Sequence, residues 1–278
     1  MAGPLVSTAW LRESLGDARL RVVDCRFRLG DPEAPQRLWR EGHIPGAAFL
    51  DVDRDLASAP GDGGRHPLPR AEDFEAAARR AGIGPETLVV AYDEAAEGGA
   101  ARLWWLLRHF GHDDVAVLDG GLSAWRDEGG PLRAGEEDIE PGAFTARPRE
   151  GDTATAEEIA GEAAPGAAAP ALLDARAPER HRGEVEPVDP VAGRIPGAAN
   201  LPFAEVAPGG RFLEPEELRR RFGAAGAEAG GDAVAYCGSG ITACVLVLAA
   251  EVAGLDPVRL YPGSWSEWSE RGLPVERG

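Results

Sequence analysis

The strongest constraint on the fold is that the chain repeats itself. Four segments of the first half recur in the same order in the second half, at a nearly constant spacing. The matched pairs are Val22–Arg26 with Leu172–Arg176, Gly42–Val52 with Gly193–Phe203, Leu88–Asp93 with Ala233–Cys237, and Asp119–Leu132 with Pro262–Val275. Four ordered matches indicate a duplicated domain, because chance similarity would not preserve their order.

Within each half, short apolar runs alternate with stretches of helical length. This alternation predicts an α/β fold with two tandem domains, each a parallel sheet flanked by helices on both faces. The segment 133–153 is charged, contains proline and glycine, and has weak periodicity. We therefore interpret it as a linker between an N-terminal domain, 1–132, and a C-terminal domain, 154–278.

The charge of the chain argues against some classes of partner. The 278 residues carry a formal net charge of −18. We expect such an acidic protein to bind neither nucleic acid nor an anionic membrane surface. If the substrate is an anion, local arginine side chains must overcome the overall field.

The cysteines and the N-terminus indicate the compartment. Cys25, Cys237 and Cys244 have no paired spacing, which favours a reducing cytoplasm over a disulfide framework. The N-terminus has no basic segment followed by an apolar core, so we predict no signal peptide. The cysteines and histidines lack the spacing of metal ligands, and no nucleotide-binding glycine loop is present, so we expect no metal and no cofactor.

Cys237 is the candidate nucleophile. It follows a predicted strand, and the next residues are Gly238, Ser239 and Gly240, before a helix expected near Ile241. Sites in α/β sheets form at the carboxyl ends of strands. The glycines allow a tight turn with inward-pointing amides, and the helix N-terminus adds positive potential, so we expect the loop to stabilise a thiolate or a persulfide.

Other thiol chemistries fit the sequence less well. Tyrosine phosphatases carry an arginine six residues after the cysteine, and this chain has Ala243 there. No histidine can be assigned from the sequence as a protease-type base for Cys237. Cys25 and Cys244 are interpreted as core residues. The first copy has Asp93 at the position that matches Cys237, so we expect only the second copy to be catalytic.

Three features together resemble the two-domain rhodanese-type sulfurtransferases. They are the tandem halves, the loop Cys237–Cys244 and the segment Tyr261–Trp268. The resemblance covers nearly the whole chain and implies that the catalytic cysteine takes sulfur from a small anionic donor and passes it to cyanide or a thiol. Within this family the Cys-Gly-Ser-Gly loop is similar to that of 3-mercaptopyruvate sulfurtransferases, although thiosulfate stays open as a donor. The alternative function is a sulfur-relay or redox-sensing module that a partner protein persulfidates.

The resemblance also implies binding residues. Arg180 falls on the position of a substrate-carboxylate arginine, whereas Asp189 stands where the family has a second arginine; Arg182 is a candidate substitute. Gly238, Gly240 and Ile241 would line the substrate site.

The remaining candidates concern proton transfer. Asp53 and His66 fall on positions proposed to work with the loop serine, Ser239, from across the domain interface, although each also has a purely structural interpretation. We expect Thr242 both to donate its hydroxyl to the sulfur and to cap the helix.

Overall fold

The computed structural model describes residues 3–161, 170–227 and 231–278, which form two compact units. The first unit comprises the chain up to Ser58 together with Leu68–Arg149 and Gly209–Phe212. The second comprises Ala59–Pro67, Glu150–Pro208 and Leu213–Gly278. The main change of unit lies between Arg149 and Glu150, and the short segment Ala59–Pro67 joins the unit formed by the second half of the chain.

The first unit is built on a five-stranded sheet whose neighbouring strands are all parallel. Its strands are β1 (Leu5–Val6), β2 (Leu20–Asp24), β3 (Ala48–Phe49), β4 (Leu88–Tyr92) and β5 (Val115–Leu118). Their order across the sheet is β1-β5-β4-β2-β3. The central strands β4 and β5 are almost wholly apolar and buried, as expected for strands covered on both faces.

Five helices accompany this sheet. They are α1 (Thr8–Ser14), α2 (Ala34–Glu41), α3 (Ala71–Arg80), α4 (Gly99–His109) and α5 (Gly121–Asp127). The aromatic ring of Phe74, on α3, stacks on that of Phe110 with centroids 4.9 Å apart. Phe144 meets Phe74 edge-on, so part of the segment predicted as a linker packs into the core of the first unit.

The second unit repeats the design with a four-stranded parallel sheet. Its strands are β6 (Ala171–Asp174), β7 (Ala199–Asn200), β8 (Ala233–Tyr236) and β9 (Arg259–Leu260), in the order β7-β6-β8-β9. The predicted α/β class with two parallel sheets is confirmed.

Six helices belong to the second unit among its described residues. They are α6 (Ala156–Ile159), α7 (Pro178–His181), α8 (Phe203–Val206), α9 (Pro215–Ala224), α10 (Ala243–Ala253) and α11 (Ser264–Glu270). Helix α10 is apolar around most of its circumference and is buried accordingly. No helix in the described ranges has both the length and the apolar character that crossing a bilayer requires.

The repeated Asp-x-Arg motif is a buried clamp at the end of an inner strand. In the second unit, Arg176 binds Asp174 at 2.7 Å and also donates to the Gly193 carbonyl at 2.8 Å. The Tyr236 hydroxyl donates to the same carboxylate at 3.0 Å. Asp24, Arg26 and Tyr92 make the corresponding contacts in the first unit. These contacts tie β6 to β8 and to the repeated Pro-Gly segment, which explains why the three segments recur together.

Candidate active site

Cys237 lies at the carboxyl end of β8, where the chain leaves the sheet toward α10. Three residues later, Gly240 adopts a left-handed backbone conformation with φ of +81°. A Cβ at this position would lie 2.4 Å from the Pro262 carbonyl oxygen. Both the conformation and the close approach restrict position 240 to glycine, so the turn after Cys237 is fixed by its sequence.

The turn directs a backbone amide at the sulfur. The Gly240 N–H donates a hydrogen bond to Cys237 Sγ at 3.1 Å. The Cys237 N–H in turn donates to Ser264 Oγ at 3.1 Å, and the residue is only 2 % exposed. The loop therefore presents a hydrogen-bond donor to the sulfur, at the place where negative charge would form during nucleophilic attack.

The segment at the start of α11 holds the loop from its other side. Backbone N–H groups of Trp265 and Ser266 donate to the carbonyls of Cys237 and Gly238 at 3.0 and 2.9 Å. Ser264 has a positive φ of 54°, which is uncommon for a residue other than glycine. Neither Ser264 nor Ser266 was predicted as a site residue from the sequence. Their place in Pro262–Val275, which repeats Asp119–Leu132, is the feature that could have pointed to them.

Helix α10 begins at Ala243, with Thr242 as its N-cap residue. The Thr242 side chain makes no capping hydrogen bond, so the predicted cap is wrong. Its backbone already has helical angles, whereas a capping residue needs an extended backbone to turn its oxygen back to the first amides. Within the described residues its hydroxyl makes no hydrogen bond to Cys237 either. Ile241 is buried, and its carbonyl accepts the Cys244 N–H.

His66 and Ser239 meet beside the loop. His66 Nδ1 lies 2.7 Å from Ser239 Oγ, and both residues are more than nine-tenths buried. His66 reaches this position because Ala59–Pro67 is part of the second unit. The segment is anchored there by the Arg65 N–H, which donates to Ser266 Oγ at 3.0 Å. A histidine and a serine in contact can relay a proton.

Two arginines face the loop at Gly238. A Cβ built on Gly238 would lie 3.3 Å from an Nη of Arg65 and 3.5 Å from an Nη of Arg180. Arg180 binds Glu186 at 2.6 Å, and Arg65 binds Asp189 at 2.7 Å. Arg180 was predicted from the sequence and Arg65 was not, although the family resemblance already implied that its neighbour His66 reaches the loop.

Arg182 does not replace the missing family arginine. Its guanidinium binds Glu184 at 2.7 Å, and both side chains are about half exposed. Asp189, by contrast, is almost fully buried and receives guanidinium groups from both Arg65 and Arg180. The guanidinium that accompanies Arg180 at Gly238 therefore comes from Arg65.

Asp53 belongs to the first unit. It follows β3 in the turn where Asp51 Oδ1 accepts the Asp53 N–H at 2.9 Å.

The matching corner of the first unit holds a carboxylate in place of a thiol. Asp93 follows β4, and its Oδ2 accepts the N–H groups of Gly98 and Ala100 at 3.0 and 3.1 Å. Burial raises the pKa of the Asp93 carboxyl to about 6. The amides of this loop are thus occupied by the protein's own acidic side chain. Cys25 and Cys244 are fully buried, as the sequence analysis expected.

Comparison with known proteins identifies the family. The family model described as "Rhodanese-like domain" matches residues 7–128 and again residues 155–271. The chain belongs to the rhodanese-like family. The two matches correspond to the two copies of the internal repeat, and the resemblance seen in the sequence is confirmed.

Individual relatives match along almost their whole length. A Pseudomonas aeruginosa protein named "Probable 3-mercaptopyruvate sulfurtransferase" is 46% identical, over 99% of this chain and 98% of its own. A Mycobacterium tuberculosis protein, provisionally named a thiosulfate sulfurtransferase, is 42% identical over 92% of this chain and 90% of its own. The crystal structure of SseA from Escherichia coli, described as a 3-mercaptopyruvate sulfotransferase with the rhodanese fold, superposes with a TM-score of 0.83 at 31% identity. That superposition covers 95% of this chain and 100% of SseA.

The Asp93 carboxylate generates a prediction for stability. Its pKa is about 6 in the folded protein and ordinarily 3.8, so ionisation opposes folding, and this group's contribution is lost as the pH rises from about 4 to about 6. Asp93→Asn keeps an oxygen for the two amides and cannot ionise. We expect the variant to be more stable than the wild type at pH 7 by about 1–3 kcal/mol.

Calorimetric unfolding at several pH values measures this difference. The advantage of Asp93→Asn in Tm should shrink as the pH falls and disappear near pH 4. Asp113→Asn is the control, because Arg149 lowers the pKa of Asp113 and the control should therefore be slightly less stable at pH 7. An advantage for Asp93→Asn that is the same at all pH values would contradict the assignment.

Proposed function

We propose that this protein transfers sulfur from a small anionic donor to a thiol or cyanide through a persulfide on Cys237. The observation that carries the proposal is the hydrogen bond from the Gly240 amide to the Cys237 sulfur. The same amide would stabilise the terminal sulfur anion of a persulfide or the charged transition state that precedes it. The two guanidinium groups at Gly238 supply local positive charge in an otherwise acidic protein.

The preferred donor in this proposal is 3-mercaptopyruvate. The thiolate of Cys237 attacks the donor sulfur, and a bond forms between the two sulfur atoms as the donor C–S bond breaks. The electron pair of the C–S bond stays on carbon as an enolate, while the donor thiol gives up its proton. Protonation of the enolate carbon then yields pyruvate, so each donor leaves one sulfur on the enzyme and no oxidant is consumed.

Ser239 and His66 are suited to move the proton in this reaction. Their contact at 2.7 Å places a hydroxyl, backed by an imidazole, one residue from Gly238 and two from the nucleophile. The serine would accept the donor's thiol proton and pass it to the histidine, which would return it when the enolate is protonated.

The loop chemistry favours mercaptopyruvate over thiosulfate. Gly238 and Ser239 carry no cationic side chain of their own, so the positive charge at the loop comes from arginines on other segments. Arg65 and Arg180 lie at Gly238, which suits a donor whose carboxylate is two carbons from its sulfur. The names of the relatives from Pseudomonas aeruginosa and Escherichia coli agree with this donor, and that of the Mycobacterium tuberculosis relative supports thiosulfate as the second candidate.

The unpaired cysteines favour a reducing compartment as the place where the protein acts. All three are free thiols, and none is within a disulfide. Since unpaired cysteines stay reduced in the cytoplasm, we propose the cytoplasm as the location.

The first prediction for this function concerns the nucleophile. Cys237→Ser should lower pyruvate release from 3-mercaptopyruvate by about 10³-fold or more, because serine cannot take up sulfur. Cys25→Ala, which removes a thiol buried in the first unit, should keep most of the activity. Steady-state pyruvate formation with cyanide as acceptor measures both variants. A Cys237→Ser protein with the wild-type rate would overturn the proposal, as would a wild type that uses no small donor but takes sulfur from a protein persulfide.

The second prediction concerns proton transfer. Ser239→Ala should lower kcat/KM for 3-mercaptopyruvate by about 10²-fold, within the range that general acid–base groups contribute. With thiosulfate the same variant should change little, because transfer of its outer sulfur releases sulfite without moving a proton. The ratio of the two rates is thus an internal control for the folding of the loop. Equal losses with both donors would contradict a proton-transfer role for Ser239.

A further inference from the structure

Arg65 and Arg180 reach the same side of the catalytic loop from different parts of the chain. Arg180 lies on α7, whereas Arg65 comes from the segment Ala59–Pro67. Their Nη atoms would stand 3.3–3.5 Å from a Cβ on Gly238. Gly238 is next to the nucleophile and has no side chain, so the two guanidinium groups can come close to the loop backbone.

The acids that hold these arginines are more deeply buried than the arginines themselves. The side chains of Asp189 and Glu186 are 2 % and 3 % exposed, whereas those of Arg65 and Arg180 are 23 % and 20 % exposed. Solvent, and therefore a ligand, meets the guanidinium groups rather than the carboxylates. The acids fix the arginine side chains in place while leaving part of each guanidinium accessible.

Arg65 also leaves a donor unused. Its Nε is buried and has no hydrogen-bond partner in the part of the chain that the structure describes. An unsatisfied buried donor costs free energy. The geometry keeps the Nη groups of Arg65 at the loop.

We propose that Arg65 is a substrate-binding residue that forms, together with Arg180, a two-arginine clamp for the donor's carboxylate. This inference rests on the proposed function. Guanidinium groups bind carboxylates with paired, charge-assisted hydrogen bonds. The exposed parts of these two, beside the catalytic loop, would hold the donor's carboxylate while its sulfur is directed to Cys237.

Asp189 is a positioning residue in this clamp. The family resemblance expects a second arginine at position 189, and this chain has an acid there that binds Arg65 at 2.7 Å. The positive charge has thus moved from position 189 to position 65, with the acid serving as its anchor. Because Arg65 and Asp189 act together, a change at either position should affect KM.

The test separates donor binding from sulfur chemistry. Arg65→Gln should raise KM for 3-mercaptopyruvate by about 10–100-fold, with kcat changed less than about threefold, because a charged hydrogen bond to the donor is lost. Arg65→Lys should recover part of the loss. Arg182→Gln is the matched control, since the Arg182 side chain hydrogen-bonds only the exposed Glu184 among the described residues, and its KM should equal that of the wild type.

A second measurement excludes a merely structural effect. Enzyme loaded with sulfur should discharge its persulfide to dithiothreitol, which has no carboxylate, at the same rate in Arg65→Gln and in the wild type. Asp189→Asn should raise KM less than Arg65→Gln does, and the effect of the double variant on the free energy of binding should be less than the sum of the two single effects.

The outcomes distinguish this inference from the proposed function. An unchanged KM in Arg65→Gln, or a fall in kcat and in discharge rate with KM unaltered, overturns the clamp while leaving sulfur transfer by Cys237 intact. A wild-type protein that forms no pyruvate overturns the proposed function itself. If Arg65→Gln does not fold, additive effects of Arg65→Lys and Asp189→Asn on KM would overturn the coupling between the two residues.

Discussion

The hydrogen bond from the Gly240 amide to the Cys237 sulfur is the contact on which the rest of the site depends. It requires the left-handed backbone at Gly240 and the close approach to Pro262 that only glycine permits. The start of α11 fixes the loop from behind through two backbone hydrogen bonds. The loop Cys237–Gly240 and the start of α11 therefore act together. The loop presents the sulfur, and α11 holds the loop in place.

The two copies of the repeat show what this corner of the fold is suited to hold. In both units an inner strand ends at a turn whose amides point at an acceptor atom, which is a sulfur in one copy and the Asp93 carboxylate in the other. In the first unit the Asp93 carboxylate accepts the loop amides, and burial raises the pKa of this carboxyl to about 6. The second unit keeps a thiol, which in the proposed function takes up and releases sulfur.

The sequence predicted those features that depend on local pattern. The repeat and the alternation of strands and helices indicated two parallel sheets, and the glycines around Cys237 indicated the turn. Local pattern could not predict that the whole of Ala59–Pro67 joins the second unit, because that placement depends on long-range contacts such as the one between the Arg65 amide and Ser266. The family resemblance implied only that His66 reaches the loop. Arg65 was missed for this reason. Threonine is a suitable residue for a helix cap, but the backbone of Thr242 is already helical, so its side chain does not cap α10.

The proposed function depends on Cys237 as the residue that carries sulfur, and mass spectrometry of peptides from the enzyme tests this directly. The protein is incubated with 3-mercaptopyruvate in the absence of an acceptor, trapped with an alkylating agent and digested. We expect one added sulfur atom on the peptide that contains Cys237, and none on the peptides with Cys25 or Cys244. Pyruvate formed in amounts equal to the enzyme, with the added sulfur on another residue or on none, would contradict the account.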